Sequence, residues 1–240
     1  MSTKPIIAVT GATGAQGGSV VKFLLKDGGF QIRALTRNVD SDAAKDWDPA
    51  VFNEEKEVVQ GKLLVDAAKS AGVKHFVYST LEEWNTPKVE HFNAKFRINN
   101  YLIESGVPRT SIYTDFYFEN FSNPAMDVFA IKKHPSQPGS FVAEWPTLWS
   151  DGPIPGYAVA DTGAYVLAAF KDPSRFVAQD IKILTDLFAA ELHGNMESFY
   201  KTNGTLNREP HKIEEAKQIY PEAITLREFV KANIGKLLPQ

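Results

Sequence analysis

Residues Ile6-Ile-Ala-Val-Thr-Gly11-Ala-Thr-Gly14-Ala-Gln-Gly17-Gly-Ser-Val-Val-Lys-Phe-Leu-Leu25 decide how this chain is read. Ile6 to Thr10 is a short apolar, β-branched run of the kind that forms a strand buried on both faces of a parallel sheet. Gly11, Gly14 and Gly17 follow at three-residue spacing, and Ser19 to Leu25 carries apolar residues suited to a helix packed on that sheet. Strand, glycine turn and helix stand in the order that a dinucleotide pyrophosphate requires. The turn must be tight, side chains must not block the phosphates, and the helix start must offer N–H groups and a positive dipole end.

Working outward, Asp27-Gly-Gly29 stops the helix and Phe30 to Thr36 reads as a second strand. Sites for NAD usually place an acidic residue at the end of this strand. Here Thr36-Arg37-Asn38 offers a guanidinium, so Arg37 reads as a partner for a 2′-phosphate and the cofactor as NADP(H). Glu54 to Ala71 has the pattern of an amphipathic helix, with Val59, Leu63 and Ala67 on one stripe and Gly72 as its stop. His75 to Leu81 reads as a strand. His91-Phe-Asn-Ala-Lys95 opens a helix that runs to Glu104 and ends at Gly106 and Pro108, and Thr110 to Tyr113 starts a further strand.

This alternation predicts an α/β fold: a doubly wound, Rossmann-type parallel sheet with a smaller C-terminal α/β lobe. The chain has 240 residues, which suits one large domain with an attached lobe. The expected division is 1–185 for the Rossmann domain, with a lobe insertion at about 123–156, and 186–240 for the lobe. Pro135 to Pro155 reads as irregular connection around short strands. Asp161 reads as the cap of a helix that ends before Pro173, Phe176 to Leu184 contains a late strand, and Ile213 to Phe229 suggests lobe helices.

The bulk properties exclude several functions. A formal net charge of −3 provides no broad field for a phosphate backbone, so direct nucleic-acid binding is not expected. The absence of cysteine removes disulfides and thiolate chemistry. His75, His91, His134, His193 and His211 lack metal-ligand spacing. No stretch approaches a membrane-spanning length, and Met1 to Pro5 runs straight into a strand without the pattern of a leader. A cytosolic, reducing compartment is expected, with the nucleus as the alternative.

Together, GATGAQGGSVV, LTRN, QGKLLVDAAKSAGVKHFVYSTL, HFNAK, SGVP and YFENF resemble the NmrA-like family, among the atypical short-chain dehydrogenase/reductases. The likeness runs from about residue 5 to the C-terminus, where Glu215 to Pro221 and Ile224 to Phe229 resemble the family's closing segments. By this resemblance Gly11, Thr13, Gly14, Ala15, Gln16 and Gly17 line the pyrophosphate and Arg37 holds the 2′-phosphate. Lys95 matches the lysine that contacts the nicotinamide ribose, while Tyr117, Phe118, Glu119 and Asn120 lie beside the nicotinamide.

Short-chain dehydrogenases use a Tyr four residues before that Lys, because a phenol beside an ammonium can pass a proton to a substrate carbonyl. Here the position is His91, an imidazole able to act as acid or base near neutrality, so Lys95 and His91 are the catalytic candidates. Ser79 and Thr80 fall near the family's strand-end serine. The missing phenol favours a cofactor sensor that regulates through a protein partner. The alternative is an NADPH-dependent reductase of small aromatic or conjugated carbonyl substrates, with Phe116, Phe118, Trp145 and Trp149 as candidates to roof the substrate.

Between Arg37 and Glu54 the chain is too short for what the family holds there: a helix, a strand, a second helix and the fourth strand. A single βαβ unit takes roughly thirty residues. The fourth strand sits beside the first in the middle of such a sheet, and without it backbone donors lose their partners. A second shortfall lies near Ala189 to Asn195. The chain therefore reads as ordered segments joined across missing ones, at about Ala43 to Trp47 and Ala189 to Asn195, the alternative being a damaged variant that cannot fold as the family does.

Overall fold

A computed structural model describes residues 4–35, 53–83, 90–114, 116–122, 131–138, 141–143, 153–184, 186–189 and 210–237. Arg37, Trp145, Trp149, the join near 43–47 and residues 190–195 of the second join lie outside the described residues. In chain order the elements are β1 (Ile6–Thr10), α1 (Ala15–Asp27), β2 (Gln31–Leu35), α2 (Glu54–Ser70), β3 (Phe76–Thr80), α3 (Glu90–Ser105), β4 (Arg109–Tyr113) and β5 (Phe116–Tyr117). They continue with β6 (Ile131–Lys133), β7 (Phe141–Ala143), β8 (Pro153–Tyr157), α4 (Thr162–Lys171), α5 (Pro173–Phe176), β9 (Gln179–Lys182), β10 (Asp186–Ala189), α6 (Pro210–Ile219) and α7 (Leu226–Leu237). Short 3-10 turns occupy Phe118–Ser122 and Val159–Asp161.

Two compact units divide the chain: residues 1–114 with 159–182, and residues 115–158 with 183–240. In the first, β1 pairs in parallel with β2, Ile6 opposite Gln31 and Thr10 opposite Leu35. β3, β4 and β9 form a second parallel set, with Ile112 of β4 between Ser79 and Ile181. Parallel strands joined through helices are the α/β, Rossmann-type arrangement that the sequence predicts. Among the described residues β1 bonds only to β2, and β3 only to β4.

Helix α1 starts at the glycine turn and stops where Gly28 takes the left-handed conformation (φ 71°) and donates its N–H to Leu24 O. It packs on α4 through a close backbone approach. A Cβ on Gly163 would lie 2.3 Å from the Ser19 carbonyl oxygen, so only glycine fits. Ser19 Oγ accepts the Gly163 N–H at 2.9 Å and donates to the Ala160 carbonyl. Asp161 stands at the N-cap of α4 but makes no capping hydrogen bond, which corrects the expectation that it caps this helix. A serine from α1 does the work instead, because the helix start is pressed against that element.

Helix α2 is capped by Asn53, whose side chain accepts the Lys56 N–H at 2.8 Å, and Glu54, Glu55 and Glu57 complement its dipole. The expected stripe of Val59, Leu63 and Ala67 is not the buried one. Val58, Val65 and Ala68 are buried, Val58 against Ala94 and Ile98 and Val65 against Leu102 and Val107. Gly61 selects this face, since a Cβ there would lie 2.4 Å from Ile98 Cδ1, so the glycine lets α3 come close. Val59 and Leu63 are left 55% and 61% exposed.

In the second unit β5 pairs in parallel with β8, β10 runs antiparallel to β8, and β6 and β7 form a hairpin pair. Its core gathers Phe118, Phe121, Ala158, Phe229 and Leu237, with the Phe118 and Phe229 rings 5.8 Å apart. Among the described residues no helix is long and apolar enough to cross a membrane.

Candidate functional site

The glycine turn has the geometry its spacing demands. Gly11 adopts φ 62°, and Gly14 donates its N–H to Gly11 O at 2.9 Å, which closes the turn. A Cβ on Gly17 would lie 2.1 Å from Gly11 O and 2.6 Å from Gly11 C, so the first turn of α1 packs against the loop with no room for a side chain. Gly14 is the N-cap of α1 and makes no side-chain cap, and no acidic residue lies in the first turn. The helix start therefore keeps its positive end without a carboxylate from its own first turn. Thr13, Ala15 and Gln16 lie on the same turn.

Lys95 sits in the second turn of α3, and its Nζ donates to Glu57 Oε1 on α2 at 2.8 Å. Both side chains are partly exposed. The Lys95 carbonyl accepts a hydrogen bond from the buried Thr80 hydroxyl at 3.2 Å, which ties this turn to the end of β3. His91 lies one turn earlier, edge-on to the Phe92 ring at 4.8 Å. Burial and, next, the neighbouring Lys95 ammonium hold the His91 imidazolium below its ordinary pKa, against a smaller opposite effect of Glu57. Its neutral form therefore dominates near pH 7.

No activated phenol replaces the missing one on the neighbouring strands. Burial raises the Tyr78 phenol well above its ordinary value, with Glu57 adding to the effect, and pushes Tyr113 up to about 12. At the carboxyl ends of β3 and β9, Lys182 Nζ pairs with Glu82 Oε1 at 2.6 Å with both side chains largely buried, and the Tyr113 ring centre lies 5.8 Å from Nζ. Ligands of open α/β sheets bind outside these strand ends. Sequence reading missed Glu57, Glu82 and Lys182. Glu82 stands two residues beyond a strand end, which is a usable signal, whereas Glu57 is one of several acids in a helix start and carries none.

In the second unit Phe118 is fully buried in the apolar core, while Tyr117, Glu119 and Asn120 are partly exposed and Tyr117 packs edge-on against Tyr157 at 5.5 Å. Among the described residues no group of His, Asp or Glu could hold a metal ion.

Parallel strands, a glycine turn closed by backbone and a helix that starts on it define an α/β protein of the Rossmann class. Comparison with known proteins narrows this, because the NmrA-like family profile matches residues 3–50 and 49–228. The chain belongs to that family. It is 31% identical over 144 residues to the nitrogen metabolite repression protein nmr of Neurospora crassa, a match that takes in 55% of this chain and 29% of that protein. It is 26% identical over 239 residues to the NmrA-like family domain-containing oxidoreductase lnaB of Aspergillus flavus, taking in 78% of this chain and 70% of the relative. The chain thus spans less than a third of the Neurospora protein. Among solved structures, the fold resembles that of NmrA, a negative transcriptional regulator, in complex with NADP, with a TM-score of 0.68 at 20% identity over 96% of this chain and 95% of that one.

Proposed function

We propose that this chain is an NADP(H)-binding protein that senses the cofactor and regulates through a protein partner. The observation that carries the cofactor is the Gly17 cradle, where a Cβ would collide with the Gly11 backbone at a helix start whose first turn holds no acidic residue. Gly11, Thr13, Gly14, Ala15, Gln16 and Gly17 hold the pyrophosphate, Arg37 the 2′-phosphate and Lys95 the nicotinamide ribose. The NADP complex of the fold relative supports the choice of ligand. When bound, the cofactor supplies hydride chemistry, and the protein supplies position and charge.

The sensor reading is supported by the proton inventory. A reductase must deliver a proton as hydride leaves, yet His91 is held neutral beside Lys95, and Tyr78 and Tyr113 are poor acids. The Neurospora relative is named for metabolite repression, and NmrA for negative transcriptional regulation. A sensor needs only different affinities for the partner in two ligation states. The second reading, an NADPH-dependent reductase of small conjugated or aromatic carbonyl compounds, is favoured by the Aspergillus relative named as an oxidoreductase and by Lys95 at the start of α3.

The test is calorimetric titration of the protein with NADPH, NADP+, NADH and NAD+, followed by NADPH oxidation assays with quinones and conjugated carbonyls. Binding of NADP(H) without turnover is the expected result. Turnover replaces the sensor with the reductase, and no binding of any dinucleotide removes both.

A further inference from the structure

Three carboxylates crowd the first turn of α2, and α3 sorts them. Arg97 takes Glu54 at 3.0 Å and Glu55 at 2.6 Å, while Glu57 meets Lys95 at 2.8 Å. The sorting is held by the core beneath it. Val58 and Ala94, the chain neighbours of Glu57 and Lys95, are 2% and 0% exposed and pack together with Ile98, and Thr80 donates to the Lys95 carbonyl. Both side chains of the pair therefore start from fixed points of the backbone.

Charge, and not shape alone, is what this corner offers a ligand. The Lys95 ammonium and the Glu57 carboxylate cancel, and His91 and Tyr78 are uncharged near pH 7, so the group carries no net charge. Glu57 acts on all of its neighbours here: it binds the ammonium, offsets part of the depression of the His91 imidazolium and disfavours ionisation of the Tyr78 phenol. The two redox forms of a nicotinamide cofactor differ in charge at this same place. The oxidised ring is a pyridinium cation and the reduced ring is neutral, and each is bonded directly to the ribose that Lys95 is proposed to hold.

We infer that Glu57 sets which redox form of the cofactor this site prefers, an inference that rests on the NADP(H) reading above and names the residue through which the site reads oxidation state. An uncompensated ammonium one sugar away from the ring repels the oxidised form and affects the reduced form far less. The Glu57 carboxylate cancels that repulsion and admits NADP+. A site whose two affinities differ by a fixed factor converts the ratio of NADP+ to NADPH into occupancy by one form or the other, and Glu57 tunes that factor. Lys95 and Glu57 are 37% and 26% exposed, so the effect is on the order of threefold to tenfold and is weakened by salt.

The test is calorimetric titration of the full chain and its variants with NADP+ and with NADPH at low salt, read as the ratio of the two Kd values. Glu57→Gln weakens NADP+ more than NADPH and raises Kd(NADP+)/Kd(NADPH) by about threefold or more. Lys95→Met lowers the same ratio, and the double variant returns it towards that of the parent. Glu57→Asp keeps the charge and so keeps the ratio, even where its shorter reach weakens both forms. Raising the salt to about 1 M shrinks the shifts. A ratio unchanged in Glu57→Gln, or moved in the same direction by Glu57→Gln and Lys95→Met, overturns the inference, because lost geometry alone weakens both forms together. Binding by the parent alongside such a result leaves the cofactor reading standing, whereas a parent that binds neither form removes that reading and the role of Glu57 with it.

Discussion

Lys95 and Glu57 meet at 2.8 Å across the α2–α3 interface, joining the lysine proposed to hold the nicotinamide ribose to a carboxylate that no sequence motif marks. An ammonium has three donors, so one hydrogen bond to Glu57 leaves two for ribose hydroxyls. The carboxylate therefore orients the lysine without consuming it. Thr80 fixes the same helical turn from below by donating to the Lys95 carbonyl.

Replacing Lys95 by Met removes charge-assisted hydrogen bonds worth about 1.5–3 kcal/mol, so NADPH affinity falls by about tenfold or more. Glu57→Gln leaves the lysine in place but loosely held, and affinity falls less. Stability changes little in both variants, because a partly exposed ion pair contributes about 0–1 kcal/mol. Calorimetric titration, paired with urea unfolding, separates the two effects, and equal losses of stability and affinity would reject the positioning role.

Gly17→Ala places a methyl group 2.1 Å from the Gly11 carbonyl oxygen. Backbone, not a flexible side chain, must yield, so the turn opens and both folding and cofactor binding suffer. A stability loss of about 1–3 kcal/mol is expected, together with loss of NADPH binding. A chemical denaturation curve indistinguishable from that of the parent would show that the turn is slack.

Ser19→Ala leaves the buried Gly163 N–H and the Ala160 carbonyl without their shared partner. The loss is about 1–3 kcal/mol, the cost of an unsatisfied buried group. Asp161 makes no side-chain capping bond to α4, so Ser19→Ala is the substitution that frees the start of this helix.

Burial lowers the pKa of His75 below its ordinary value of 6.5, and burial with Lys95 does the same for His91. The unfolded chain therefore binds protons that the folded chain refuses. Stability from both groups is fully present above about pH 6.5 and is lost as pH falls through the lowered folded values. Urea unfolding at pH 7.5 and at pH 5.0 measures this fall, and His75→Gln takes away part of it. A pH-independent midpoint across that window would show that neither imidazole is held neutral.

Much of the architecture is determined locally and is legible in the chain itself. The run Ile6 to Leu25 encodes strand, turn and helix through β-branching, glycine spacing and apolar periodicity, and its backbone does what those features require. The positions of β2, β3, α3 and β4 follow from the same local rules to within a residue or two. What only the tertiary structure decided depends on which surfaces meet. Both α2 stripes are apolar, and the winner was chosen by Gly61 admitting Ile98, a contact between residues far apart in the chain. Ser19 displaced Asp161 as the partner of the α4 start for the same reason, and Glu57 became the partner of Lys95 only because α2 and α3 lie side by side. Pair interactions across elements depend on distances that periodicity along one element does not contain.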